Sequence, residues 1–173
     1  TDDFSIKSYI IIAIRELITE LPFEKITIQL IANRAGINRS TFYLHFQDKQ
    51  AVLDHLTNQL LTEFVSHYRQ PINTIDVQNL TISHTTYQIC LHLQQNSGFY
   101  KERIDDLKFV SSLYTVLYGA LTEHIKNEAL VTFTAYGTIG YLAKWLKEDC
   151  ATPIEETAAG LQSIGEYGYN NLQ

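Results

Sequence analysis

The chain has 173 residues, of which 45% are hydrophobic, and a formal net charge of −6. That length and apolar content suffice for a genuine core in one large domain or two small ones and exclude a disordered chain, while the acidic balance excludes a protein that coats nucleic acid nonspecifically. No run of about eighteen apolar residues marks a membrane helix, and "YIIIAI" near the start lacks the basic leader and small-residue cleavage site of a secretory signal, so no membrane partner and a cytoplasmic location are expected.

Residues 4 to 21 place Ile6, Ile10, Ala13, Leu17 and Leu21 at three- and four-residue spacing, the stripe of a helix with one buried face, and Pro22 ends it. Thr27 is the natural cap of a second short helix carrying Leu30, Ile31 and Ala32, which stops at Gly36. Asn38 caps a third through Phe46, and Asp48 opens a fourth in which Val52, Leu56, Leu60 and Phe64 recur; Pro71 closes it. Leu80, His84, Tyr87 and Leu91 predict a helix that runs out at the Asn96, Ser97, Gly98 turn. Phe109 to His124 and Phe133 to Leu146 predict two more. The last starts at "TPIE", with Thr152 as cap, Pro153 in the first helical position and Glu155 completing a capping box. No stretch alternates with period two over a useful length, and there are no internal repeats, so the fold class expected is all-α.

Charge is unevenly spread. Residues 25 to 49 hold Lys25, Arg34, Arg39 and Lys49 against Asp48, whereas residues 61 to 173 hold seven Lys or Arg against twelve Asp or Glu. A basic front and an acidic back suggest a polyanion-binding head and a body with another task. Within the front, Ala32 is small enough for a helix crossing, Gly36 accepts a left-handed turn, and Ile37 and Phe42 pin the following helix: the helix-turn-helix arrangement. Gln29, Asn33 and Arg34 on the second helix, with Arg39, Ser40, Thr41 and Tyr43 on the third, supply donors of the kind that read base edges and hold phosphates.

The segment "TIQLIANRAGINRSTFYLHFQDKQAVLDHL", residues 27 to 56, resembles the DNA-binding head of TetR-type transcriptional regulators. The resemblance is carried by Thr27, Ala35 to Ile37, Thr41, Phe42, Tyr43, His45, Phe46 and Lys49. It implies a three-helix head over residues 1–49, a helical effector-binding and dimerisation body over 50–173, a fourth helix of about residues 48–70 joining them, and about nine helices in all. It further implies phosphate contacts from Tyr43 and from Lys49, the latter at a helix N-terminus whose amides favour anions. Thr27 and His45 look like further phosphate contacts, with core packing the alternative for His45. Arg39, Ser40 and Thr41 fall where the family reads bases, and Arg39 suits either a guanine edge or a phosphate. Leu44 departs from the family pattern, which puts a polar or basic residue there. It leaves either one backbone contact fewer or an apolar contact to a thymine methyl.

Two short recognition helices read few bases, so useful affinity for an operator requires two heads about one turn of DNA apart, or a multiple of it. The last two helices, with Gly137, Gly140, Ala158, Ala159, Gly160, Leu161, Ile164, Gly165 and Gly168, carry small residues that allow close helix approach and are the expected homodimer interface; packing within one chain is the alternative. His84, Tyr87, Phe109, Tyr114 and Tyr118, with Phe133 and Tyr136, are candidates to line an aromatic effector cavity. Residues 135 to 161 loosely resemble a Firmicute-type subgroup that includes regulators of dihydroxyacetone kinase genes, which would imply a protein coregulator in place of a small ligand.

The six histidines are scattered and no nucleophile, phosphate loop or metal-binding motif is present, so no enzyme activity, metal or cofactor is expected beyond a possible small-molecule effector. Cys90 and Cys150 lack metal-like spacing and suit small buried positions. The function expected is an effector-released repressor that binds a palindromic double-stranded DNA operator as a dimer. The alternative is a TetR-like activator or adaptor whose body binds a protein coregulator.

Overall fold

The apolar stripe at the start folds as one helix, α1 (Asp2–Glu20), which buries Ile10, Ala13, Ile14, Leu17 and Ile18. The computed structural model describes residues 2–70, 74–77 and 80–171, and of residues 2–4, 75–77, 80–81 and 167–171 the backbone alone. By its internal contacts the chain divides into two units, Thr1–Leu60 and Leu61–Gln173.

In the first unit, Pro22 removes a donor and α1 gives way to a 3-10 turn, Phe23–Lys25. α2 (Ile28–Arg34) starts where Thr27 Oγ1 accepts the Leu30 N–H at 3.2 Å. α3 (Arg39–His45) starts where Asn38 Oδ1 accepts the Thr41 N–H at 2.8 Å. Each cap satisfies a helix-end donor that has no partner within its own helix. Between them Gly36 takes φ 69° and Ile37 N–H reaches back to Ala32 O at 3.0 Å, a closure that requires the left-handed residue supplied by glycine. Ile31, Ala32 and Phe42 are fully buried at the resulting corner. Asp48 caps α4 (Lys49–Ser66) by accepting the Ala51 N–H at 2.7 Å. Val52, Leu53, Leu56 and Leu60 complete the core of this unit. The division between units falls inside α4, whereas the expected boundary stands at its start.

The second unit begins with the last turn of α4 and a 3-10 turn, His67–Arg69; Pro71, expected to close that segment, lies outside the described residues. A hairpin follows, β1 (Thr74–Val77) antiparallel to β2 (Leu80–Ser83), with Thr74 opposite Ser83 and Ile75 opposite Ile82. The spacing that predicts Leu80 on the same helix as His84 is therefore corrected: Leu80 belongs to β2, and α5 (His84–Gln95) starts at His84. β-branched Thr81 and Ile82 favour an extended backbone, and a four-residue step between two apolar or aromatic positions carries no helical information by itself. Ile82 is fully buried, and Ser83 N–H donates to Gln162 Oε1 at 2.6 Å.

The predicted turn at Asn96 is a single-residue break, after which α6 (Ser97–Arg103) forms. α7 (Leu107–Thr122) and α8 (Glu128–Lys147) are capped by Asp106 and Asn127, and α9 (Ile154–Asn171) ends the described chain. Pro153 stands one position before α9, its carbonyl accepting the Thr157 N–H at 3.0 Å. The fold class is all-α as expected, with the hairpin as a small addition. Phe99, Tyr100 and Phe109 form a buried aromatic group, with Phe109 5.6 Å from Phe99 and 6.1 Å from Tyr100 between ring centroids. At the α8–α9 connection Asp149 and Cys150 both adopt positive φ, 55° and 53°, held by Cys150 N–H to Trp145 O at 2.9 Å, the Trp145 indole to Thr152 O at 2.9 Å, and a Lys101–Asp149 ion pair.

The small residues of α8 and α9 divide by use. A side chain at Gly160 would meet Tyr141 Oη at 2.3 Å, so its smallness serves packing inside the chain. Gly137, Gly140 and Gly165 have, beyond their own helix backbone and among the described residues, no heavy atom within 4 Å of where a Cβ would stand. Gly168 lies outside the residues whose side-chain surroundings are described.

Candidate nucleic-acid interface

Burial of Phe42 and Phe46 fixes the rotation of α3 and turns Arg39, Ser40, Tyr43 and Leu44 outward, on the opposite side of the helix. Arg39 and Tyr43, four residues apart, are already coupled: Arg39 Nη2 donates to Tyr43 Oη at 3.1 Å, and the guanidinium carbon lies 5.6 Å from the ring centroid. The edge contact of the Tyr43 ring with Phe42, 5.6 Å between centroids, holds it in place. Because the phenolic oxygen accepts from Arg39, its own O–H proton is left to donate outward. Ser40 is exposed. Thr27 uses its oxygen as the α2 cap and keeps its proton for another acceptor.

Three residues are placed differently from their expected roles. Thr41 Oγ1 donates to Asn38 Oδ1 at 3.0 Å, so its hydroxyl proton reinforces the α3 cap. Lys49, read as a phosphate contact, turns its ammonium inward: Nζ donates to Phe23 O at 2.8 Å, Glu24 O at 3.2 Å and Ile26 O at 2.8 Å, and lies 4.5 Å from the Phe23 ring centroid. An ammonium has three protons, and three carbonyls take them. Arg34, read as a DNA donor, forms a two-pronged pair with Glu20 at 2.9 and 2.8 Å and a further bond to Glu16 at 3.2 Å. The hydrogen bond from Arg34 holds the Glu20 carboxyl below its usual range, and donating to Glu20 and Glu16 pushes the guanidinium further up. Gln29 Nε2 donates to Asn33 Oδ1 at 2.7 Å, and His45 closes α3 half-buried. Sequence reasoning misses these pairings because Arg34 lies 14 residues from Glu20 and Lys49 lies 26 from Phe23, beyond any local pattern.

In the second unit none of the cavities among the described residues is lined by all five effector candidates. An enclosed apolar space is lined by Phe64, Leu93, Tyr100, Leu113, Ile139 and Leu142 among others, holds about 10 Å³, and includes none of them; Phe109 backs it through its ring contact with Tyr100. Tyr114 stacks on Tyr136 at 4.4 Å and lies 5.5 Å from Tyr118, while His84 pairs with Gln88 at 3.3 Å and Tyr87 is half-buried. A polar cleft of about 210 Å³, unforeseen from sequence, is lined by Glu63, Ser66, His67, Gln88, Leu91, His92 and Gln95. His92 is buried there with its ring nitrogen 2.8 Å from Tyr100 Oη. Burial, and then neighbouring His84, lower the His67 pKa, against an opposing pull from Glu63. Cys90 is buried, and its thiol is pushed up to about 12 by that burial; Cys150 is half-buried and also raised. Among the described residues no group of three His, Cys, Asp or Glu is placed to hold a metal, and no helix is long and apolar enough to cross a membrane.

Two capped short helices at a glycine corner, the second presenting polar and cationic side chains outward, define a helix-turn-helix transcriptional regulator. Residues 10–56 match the family model described as bacterial regulatory proteins, tetR family, and residues 81–166 match that of a transcriptional regulator C-terminal region. The chain belongs to the TetR family of bacterial regulatory proteins. No curated protein matches it in sequence. Among solved structures its fold is similar to the dihydroxyacetone kinase operon activator DhaS (TM-score 0.72, 16% identity, 94% of each chain). It is also similar to the regulator FadR from Bacillus subtilis in complex with stearoyl-CoA (TM-score 0.68, 18% identity, 93% of this chain and 98% of that one). A third similar fold is a transcriptional regulator from Aquifex aeolicus VF5 (TM-score 0.66, 15% identity, 92% and 99%).

Proposed function

We propose that this regulator is a cytoplasmic repressor that binds a palindromic operator as a homodimer and is released by an effector bound in its second unit. The observation that carries the DNA reading is the outward face of α3, where Arg39 and Tyr43 are preassembled and Ser40 lies beside them. In this reading Tyr43 and Thr27 donate to phosphates, His45 makes a further phosphate contact, and Arg39 and Ser40 read bases. Thr41 supports them through the Asn38 cap, and Lys49 acts from behind, by fixing the turn that precedes α2.

Dimerisation through α8 and α9 is supported by the open surroundings of Gly137, Gly140 and Gly165 and by the exposure of Phe133, Tyr136 and Ile164 on the same two helices. For the effector, the enclosed apolar space beside Tyr100 is the favoured seat over the set His84, Tyr87, Tyr114 and Tyr118, because its lining is continuous and apolar; at about 10 Å³ it must widen to admit a ligand. The second reading, an activator or adaptor with a protein coregulator, is supported by the open groove along the start of α8, lined by Asn127, Glu128, Thr132, Phe133 and Tyr136.

Selection of bound duplexes from a random pool, followed by transcription in vitro from a promoter carrying the enriched sequence, tests the proposal. A palindromic enrichment with reduced transcript is the expected result. An increased transcript would favour the activator, and no enrichment would end the DNA reading.

A further inference from the structure

Leu44 is 82% exposed on the outward face of α3. The corner beneath is filled without it by Ile31, Ala32, Phe42 and Phe46, so the fold has no use for an apolar side chain at this position. Ser40 stands one turn before it, and the Arg39–Tyr43 pair lies alongside. An isolated leucine among polar and cationic neighbours is too small an apolar surface for a protein partner. The polyanion that suits Arg39 offers, along its major groove, a single kind of apolar group at a base edge: the C5-methyl of thymine.

We propose that Leu44 is a specificity-determining residue that packs against a thymine methyl in the major groove, selecting thymine at one position of each operator half-site. This rests on the DNA-binding reading above and extends it to a base identity. Arg39 and Tyr43 set the depth at which α3 enters the groove by engaging phosphate or base beside it, and Leu44 then meets the methyl with no hydrogen bond of its own to satisfy.

The test starts from duplexes enriched by the full chain from a random pool. Each thymine of the enriched half-site is replaced by deoxyuridine, which removes the methyl and leaves every hydrogen-bonding edge intact, and affinity is measured for the native chain, Leu44→Ala and Leu44→Met. One thymine per half-site is expected to weaken native binding about four-fold when replaced, the effect of one buried methyl. Leu44→Ala, which removes the contact in both half-sites of the dimer, should weaken binding to the thymine duplex about fifteen-fold and become indifferent to the replacement, while Leu44→Met retains the discrimination. Unchanged native affinity at every replaced thymine, or a full uracil penalty retained by Leu44→Ala, would overturn the proposal with DNA binding left standing. No enrichment at all would overturn both readings together.

Discussion

Replacing Lys49 by methionine keeps an unbranched apolar side chain and removes the ammonium over Phe23 with its three N–H donors. Of the three carbonyls left behind, those of Phe23 and Ile26 are in part-buried bonds and that of Glu24 is exposed to water. Hydrogen bonds to a charged group contribute about 1.5–3 kcal/mol each, and the exposed one is largely replaced by water. The contact over the Phe23 ring adds about 0.5–1 kcal/mol. Because the two remaining bonds are only part-buried, each counts at the low end of its range, and with the ring contact the loss expected for the first unit is about 3–4 kcal/mol, enough to open α2 locally. Amide hydrogen exchange over Ile28–Arg34 in the full chain reads it directly, with protection falling by about a few hundredfold. DNA affinity should fall while the slope of log K against log salt stays at the native value, because no phosphate contact is lost. Lys49→Arg should not restore protection, since a planar guanidinium cannot aim donors at three carbonyls around one point. Unchanged protection in α2, with a slope shallower by about 0.9 per protomer, would show that Lys49 meets phosphate and would refute this reasoning.

Tyr43→Phe removes the oxygen that orders Arg39 and the proton proposed for phosphate; with a side chain 46% exposed, the fold should be unaffected and DNA affinity should drop about ten-fold, read by mobility shift. Gly140→Ala should stabilise α8 by up to about 1 kcal/mol in thermal unfolding, since nothing crowds the new methyl, whereas Gly140→Leu should shift sedimentation toward monomer if two copies meet there. His67 has its folded pKa lowered below 6.5, so the unfolded chain takes its proton first. The associated stability is present above 6.5 and is lost as pH falls through the folded value, and His67→Gln should flatten that decline in urea titrations.

How much could be read in advance follows the range of each interaction. Thr27, Asn38 and Asp48 are legible as caps because a cap acts over three residues, and Gly36 because its backbone requirement is local. The burial of Phe42 and Phe46 follows from periodicity, and with it the outward face of α3. The hairpin is not legible: Leu80 to Ser83 gives too few residues for alternation to register, and its pairing is with a second strand, Thr74–Val77, that is equally short. The placement of the effector candidates is not legible for a related reason. Aromatic composition identifies Phe109 and Tyr114 as large and apolar, but whether one faces the core or stacks on a helix neighbour is decided by rotation about α7, which places Phe109 inside and Tyr114 against Tyr136. Arg34 and Lys49 carry the right charge for DNA, and a count of cations cannot tell a charge held by a carboxylate or a carbonyl cradle from one held out to solvent.

That distinction changes the electrostatics of the head. Of the four cations between residues 25 and 49, Arg34 is matched by two carboxylates and Lys49 has its protons on carbonyls, which leaves Lys25 and Arg39 exposed at the front of a chain of net charge −6. Each phosphate neutralised by a cation contributes about −0.9 to the slope of log K against log salt, so a dimer with two such cations per head should show a slope of roughly −4. A slope of about −7, the value for all four cations of each head, measured by fluorescence anisotropy between low and physiological salt, would mean that Arg34 and Lys49 leave their protein partners on binding. With the shallow slope, attraction to arbitrary DNA is weak. Discrimination must then come from the contacts at base edges: Arg39, Ser40 and the apolar face of Leu44.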